Sequence, residues 1–208
     1  MKIDDFFTTT IDRTCAKRNS FYNFPTINWE VVESLPEVQA MKGCPQHSGW
    51  HQEGDVWQHT KNCVDALEKF AISHPYFTVS RELVLATLLH DIGKPLTTKK
   101  NQETQEWVAP YHGVAGARVV RRLLCDEEEI LRRERVCALV RDHMLYHYCT
   151  DTDGKIIPSQ IYKTNNSYAS PTEFLILNYA DDFGSTNDQT EEYRYNRLRQ
   201  IENYIEKN

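Results

Sequence analysis

The chain has 208 residues, a formal net charge of −6 and a pI near 5.8, with 40% apolar and 26% charged residues. These values are ordinary for a globular protein of one domain, long enough to bury a core without disulfide or metal staples. The acidic balance argues against an extended nucleic-acid groove, which needs clustered Lys and Arg, but leaves room for a small phosphorylated substrate or an RNA end.

In chain order, the stretch MKIDDFFTTTIDR is acidic with no apolar h-region, so no secretory signal is expected. A loop-rich segment is expected to run to about Pro25, then a short helix from Asn28 to Met41 interrupted near Pro36. Gly43–Gly54 is rich in turn formers and should be irregular. Asp55 then makes a good N-cap for a helix on which Val56, His59, Thr60, Cys63, Leu67 and Phe70 recur at helical spacing. A second helix should start near Ser80 and Arg81 and run to the Gly-Lys-Pro break at Gly93. Its apolar run, Leu83 to Leu89, is far too short to span a bilayer.

Residues 95–111 read as a polar loop or small hairpin. A third helix should open near His112 and carry Val114, Ala117, Val120, Leu123 and Leu124 inward. A fourth is expected from about Glu127 through Val136, Leu139 and Val140 to His143. A polar connection, Thr150 to Ser170, should precede one long helix from Pro171 to about Glu206. The fold class implied is all-α, a helical bundle around one core; no βαβ alternation suggests a nucleotide-binding sheet. The domain plan is one domain over 1–208, with an N-terminal extension (1–30), a core module (35–185) and a C-terminal helix (186–208). Cysteines at 15, 44, 63, 125, 137 and 149 form no Cys-x-x-Cys pair, which points to reduced thiols and a cytoplasmic location.

The strongest local signal is LLHDIGK over residues 88–94. Adjacent helix positions diverge by about 100°, so His90 and Asp91 can face one ion only at a helix end, and the Gly supplies that end. A lone His-Asp pair is more often a cap, a lone His59 more often a core histidine, and Asp181 alone more often a helix surface. Their joint arrangement changes the weighting. Each lies on a separate predicted helix beside apolar residues that carry it inward, and burying unpaired imidazoles and carboxylates is costly unless a metal satisfies them together. Nitrogen and carboxylate donors suit divalent manganese, iron, nickel, cobalt, zinc or magnesium. Lys94 is a candidate phosphate contact, with an exposed loop lysine as the plainer alternative.

His59, His90–Asp91 and Asp181, in that order, resemble the H…HD…D signature of the HD superfamily, which implies an α-helical bundle with divalent-metal phosphohydrolase activity. LPEVQAMKGCPQHSGWHQEGDVWQHT, LLHDIGKP and YHGVAGARVV further resemble the HD domain attached to bacterial tRNA nucleotidyltransferases, over about residues 35–185. The Gly-Ser motif and Asp-x-Asp pair of their catalytic head have no counterpart here, so nucleotide addition is not expected. What the resemblance leaves is hydrolysis of a phosphomonoester, a 2′,3′-cyclic nucleotide or a phosphorylated RNA end. The alternatives are a (deoxy)nucleotide phosphohydrolase and a non-catalytic RNA- or protein-binding module with a structural metal.

Binuclear members of the superfamily place two further histidines between the HD pair and the last Asp. His112 and His143 stand in that order, implying a second ion bridged by Asp91, or else a helix cap and a substrate contact around a single ion. Asp91, if not wholly committed to metal, could assist as general base. Arg118 is a candidate substrate contact on the third helix. His147 is expected to be surface-exposed, with a ligand or supporting role as the alternative. His47, Trp50, His51 and Trp57 could roof the site, with core or lid roles for the tryptophans favoured, and His74 reads as structural.

Overall fold

Buried positions Val56, Thr60, Cys63, Val64, Leu67 and Ala71 repeat at helical spacing along α3 (Val56–Ser73), and Asp55 caps it by accepting the Gln58 amide at 2.8 Å. The computed structural model describes residues 1–8, 24–75, 77–150, 155–165 and 167–207. The loop-rich reading of the N-terminus therefore falls mostly outside the described residues, as do 151–154 and 166 of the polar connection.

The central rod is α4 (Arg81–Leu89), in which every residue from Glu82 to Leu89 is buried. A helix apolar all round belongs inside, and α4 packs against α3, α7 (Ile130–Asp142) and α9 (Pro171–Gly184). Before these, α1 (Trp29–Ser34) and α2 (Pro36–Gln39) are separated at Leu35, as Pro36 requires. After α4, residues 90–93 form a turn and α5 (Lys94–Thr97) follows. The expected hairpin is present as β1 (Lys99–Lys100) and β2 (Trp107–Val108), antiparallel with Lys99 opposite Val108. Then α6 (His112–Leu123) packs against α7.

Four expectations need correction. The fourth helix begins at Ile130, three residues late, and the Glu127 carboxylate before it accepts the backbone amides of Ile3 at 2.8 Å and Glu129 at 3.3 Å. It also ends at Asp142, and His143 opens a 3-10 segment, His143–Tyr148. Val114 points outward, 40% exposed, while Gly113 and Gly116 take the buried face of α6. The polar connection contains α8 (Pro158–Asn165), whose Ile161 and Thr164 are buried, and the Thr164 hydroxyl lies 3.1 Å from that of Tyr146.

The single long C-terminal helix is two helices, α9 and α10 (Glu191–Lys207). Gly184 ends α9, and the turn after it is held by other partners: the Thr186 carbonyl accepts the Gln52 amide at 2.8 Å, and the Thr186 amide donates to Glu53 Oε2 at 2.8 Å. The first residues are not peripheral to the core, since Ile3, Phe6 and Phe7 are buried in it. Among the described residues no helix is long and apolar enough to cross a membrane.

Candidate metal centre

Where a helix ends, its last carbonyls lack intrahelical donors, and two of the histidines exploit this. His90 follows α4 and donates Nδ1–H to Thr87 O at 2.7 Å; His143 follows α7 and donates Nδ1–H to Val140 O at 2.8 Å. His112, opening α6, does the same to Ala109 O at 2.7 Å. His59 lies within α3, where the carbonyls are taken, and its Nδ1 lies 2.8 Å from Glu53 Oε1 instead. The carbonyl acceptors are proton-free, so His90, His112 and His143 each carry a proton on Nδ1 and, when neutral, present the Nε2 lone pair inward, whereas His59 has a carboxylate at each nitrogen, Glu53 at Nδ1 and Asp181 at Nε2.

The four Nε2 atoms meet in two pairs, His59 with His90 at 3.3 Å and His112 with His143 at 3.1 Å. Two lone pairs at that separation repel unless a shared proton or a metal ion lies between them. Asp91 stands between the pairs. Its Oδ2 lies 3.3 Å from His90 Nε2 and 3.8 Å from His59 Nε2; its Oδ1 lies 3.3 Å from His112 Nε2 and 3.8 Å from His143 Nε2. Asp181 Oδ1 completes the first group, 2.9 Å from His59 Nε2 and 3.7 Å from His90 Nε2. Donors about 2.0–2.2 Å from one ion stand about 3.0–3.4 Å apart, a range that holds both imidazole–imidazole separations and the shorter Asp91 contact to each pair. All six side chains are buried.

The electrostatics ask for the same occupant. Neither Asp91 oxygen accepts an aligned hydrogen bond, although Lys94 Nζ approaches Oδ2 to 2.7 Å. Burial alone would push the Asp91 carboxyl up, but Lys94, His90 and His112 hold it well below the usual range. Asp181 is likewise held low against burial by His147 and His59. Burial disfavours charge on His59, yet Cys63, Asp181 and Glu53 raise it well above the ordinary histidine value. His143 is pushed down to about 3 by burial and by His112 and His90. Two ionised carboxylates buried among imidazoles favour positive charge at this place. The donor set fits one or two divalent ions, with Asp91 able to touch both.

Lys94 is neither exposed nor on a free loop. It opens α5, is buried, and donates to Gln46 Oε1 at 2.7 Å as well as facing Asp91. Arg118 is exposed on α6 and outside the cluster. Six residues past His112 it is turned about 240° around the helix, so the two cannot share a face. His147 corrects the expectation of surface exposure: its Nε2 is 2.8 Å from Asp181 Oδ2 and its Nδ1 3.4 Å from Asp182 Oδ1, and Asp182 in turn pairs with Arg197 of α10. Trp57 is core and Trp50 is 52% exposed, while His74 stacks on Phe70 at 4.2 Å.

Glu53 was not legible as a site residue. It lies in an irregular stretch and reaches His59 and His51 (Nδ1 to Oε1, 2.9 Å) only through the fold. Cys63 was read as core, although its position four residues after His59 puts it on the same face; its Sγ is 3.3 Å from His59 Nε2.

The family model described as the HD domain matches residues 56–181, more than half of the chain. Among curated proteins, the multifunctional CCA protein of Psychromonas ingrahamii is 26% identical over 183 residues, covering 82% of this chain and 42% of that protein. The corresponding protein of Shewanella frigidimarina is 29% identical over 169 residues, 78% of this chain and 37% of its own length. The CC-adding tRNA nucleotidyltransferase of Thermus thermophilus is 33% identical over 113 residues, 53% of this chain and 24% of that protein. The chain thus spans less than half the length of these relatives.

Proposed function

The chain belongs to the HD domain family of metal-dependent phosphohydrolases, and from that premise we propose that it hydrolyses a phosphomonoester, a 2′,3′-cyclic nucleotide or a phosphorylated RNA end with one or two divalent ions. The observation that carries this reading is the facing of two imidazole pairs across Asp91, whose buried oxygens accept no aligned hydrogen bond. His59, His90, Asp91 and Asp181 would hold the first ion, and His112, His143 and Asp91 the second. Divalent ions at such positions supply Lewis acidity toward phosphoryl oxygens and lower the pKa of a bound water.

The chain's own groups then position and neutralise. Lys94 faces Asp91 and donates to Gln46, and its ammonium has donors left for a phosphoryl oxygen, where a compact positive charge offsets developing negative charge. Asp181 is kept ionised by His147, which frees Oδ1 for the centre while Oδ2 is occupied. One relative is named a CC-adding tRNA nucleotidyltransferase, which favours a nucleotide or RNA-end phosphoester over a sugar phosphate. Arg118 is not retained in this reading.

The test is turnover of p-nitrophenyl phosphate, bis-p-nitrophenyl phosphate and 2′,3′-cyclic AMP by metal-stripped protein resupplied with manganese, nickel, cobalt, zinc or magnesium. Metal-dependent release of product from at least one substrate is expected. Silence with every pair, in protein shown to bind metal, would replace hydrolysis by a binding module with a structural ion.

A further inference from the structure

We propose that Cys63 is a sulfur donor to the ion held by His59, His90 and Asp181, making that position a mixed nitrogen, oxygen and sulfur site for a soft or borderline ion such as zinc, cobalt or iron rather than magnesium. The inference rests on the metal reading above and deepens it.

Cys63 lies one turn beyond His59 on α3, so both side chains leave the same face. Its Sγ is 3.3 Å from His59 Nε2, and the donor atoms of His59, Cys63, His90 and Asp181 all lie within 4.8 Å of one another. The thiol is fully buried, and among its described polar contacts only the His59 ring nitrogens are within reach. It is also wedged. A Cβ on Gly184 would stand 2.4 Å from Cys63 Sγ and 2.7 Å from its backbone nitrogen, so the end of α9 presses on the sulfur and bars larger residues there.

The cysteine does not stand alone. Asp91, 1% exposed and with both oxygens free of aligned hydrogen bonds, is aimed into the same cluster. The other described thiols are placed differently: Cys149 donates to Tyr146 O at 2.9 Å, Cys44 lies 3.6 Å from Thr98 Oγ1, and Cys44, Cys125, Cys137 and Cys149 join no described metal-capable group. As the sulfur–metal bond forms, the S–H proton leaves to solvent, since a coordinating thiol is deprotonated outright. Thiolate softness then biases the site away from magnesium.

The experiment uses the full chain carrying Cys15→Ser and Cys125→Ser, stripped of metal and titrated with cobalt(II). A near-ultraviolet thiolate-to-cobalt charge-transfer band should rise together with the visible ligand-field bands. Cys63→Ser should abolish the charge-transfer band, keep the ligand-field bands, and weaken zinc binding by about tenfold or more with little change for magnesium. Ligand-field bands without charge transfer, or charge transfer that survives Cys63→Ser, overturns the sulfur assignment and leaves the His and Asp site standing. No cobalt uptake at all overturns both. If serine at this buried position unfolds the chain, Cys63→Ala provides the same spectral comparison, and a missing band in the unsubstituted Cys63 protein is decisive by itself.

Discussion

His143 must stay neutral inside the fold, and this gives the metal-free protein a defined response to acid. Burial, with His112 and His90 beside it, takes this ring from an ordinary 6.5 to about 3. Below about 6.5 the unfolded chain takes up a proton that the folded chain refuses. The group's contribution is therefore complete above 6.5 and is lost as pH falls toward 3. Chemical denaturation of metal-free protein across that window should show stability falling with acid, with a shallower slope in His143→Gln. Equal slopes would show that the imidazole is not held neutral. His59, raised instead of lowered, contributes in the opposite sense, and it is common to both proteins. Asp91→Asn should abolish metal-dependent turnover and cost the metal-free protein about 3–5 kcal/mol, because the buried Lys94 loses its countercharge. Adding Lys94→Met should recover most of that loss in urea denaturation; no recovery would show that Lys94 was not stranded. At this scale His59, His90, Asp91 and Asp181 could be singled out because each lies beside apolar residues on a separate predicted helix, whereas His112 and His143 came only from the order that the family resemblance implies. Glu53 could not be singled out, since it lies in an irregular segment, and the supporting role of His147 stood only as the alternative to exposure, since its partner Asp181 is 34 residues away.

Between elements, the second half of the centre depends on how closely α6 approaches the turn after α4. A Cβ on Gly93 would lie 2.1 Å from His112 O and 2.4 Å from Gly116 N. Gly93→Ala should therefore push α6 away, carry His112 off Asp91, and cost about 1–3 kcal/mol or more in stability. Metal analysis should show fewer ions per chain than in the parent, and an unchanged count would refute this account of the docking. The second helix ends at Leu89, short of the Gly93 expected to end it, and Gly93 instead precedes α5; its role as a contact surface is invisible without the partner helix. The same holds for the C-terminal half. Periodicity ran through Gly184 and Ser185 without a break, because the forces that end α9 there are the close contact with Cys63 and the hold of Gln52 and Glu53 on Thr186. α8 was missed for the complementary reason: one buried Ile161 and one buried Thr164 are too few apolar residues to stand out from a polar stretch.

Taken as one molecule, the chain gathers donors from α3, the turn after α4, the start of α6, the end of α7 and α9 around a single centre. Ion binding should therefore stabilise the fold globally. At free metal about 100 times Kd the gain is about 2.7 kcal/mol, worth roughly 5–11 °C in Tm for a protein of this size. Differential scanning calorimetry of stripped and reloaded protein would measure it; a Tm indifferent to metal would show that the cluster binds no ion in the folded state. The all-helical plan was readable because amphipathic runs and caps act locally. The enclosure of the centre was not, since it depends on the Gly43–Gly54 stretch and the turn after α9 gripping one another. Glu53 is the clasp of that grip, with Oε1 on His59 and Oε2 on the Thr186 amide. The other three imidazoles are wired to main-chain carbonyls and have no such tether. The two halves of the centre are consequently unequal in temperament: one is fixed when the backbone folds, while in the other His59 is adjustable, so a tug on either surface segment acts first on that ring.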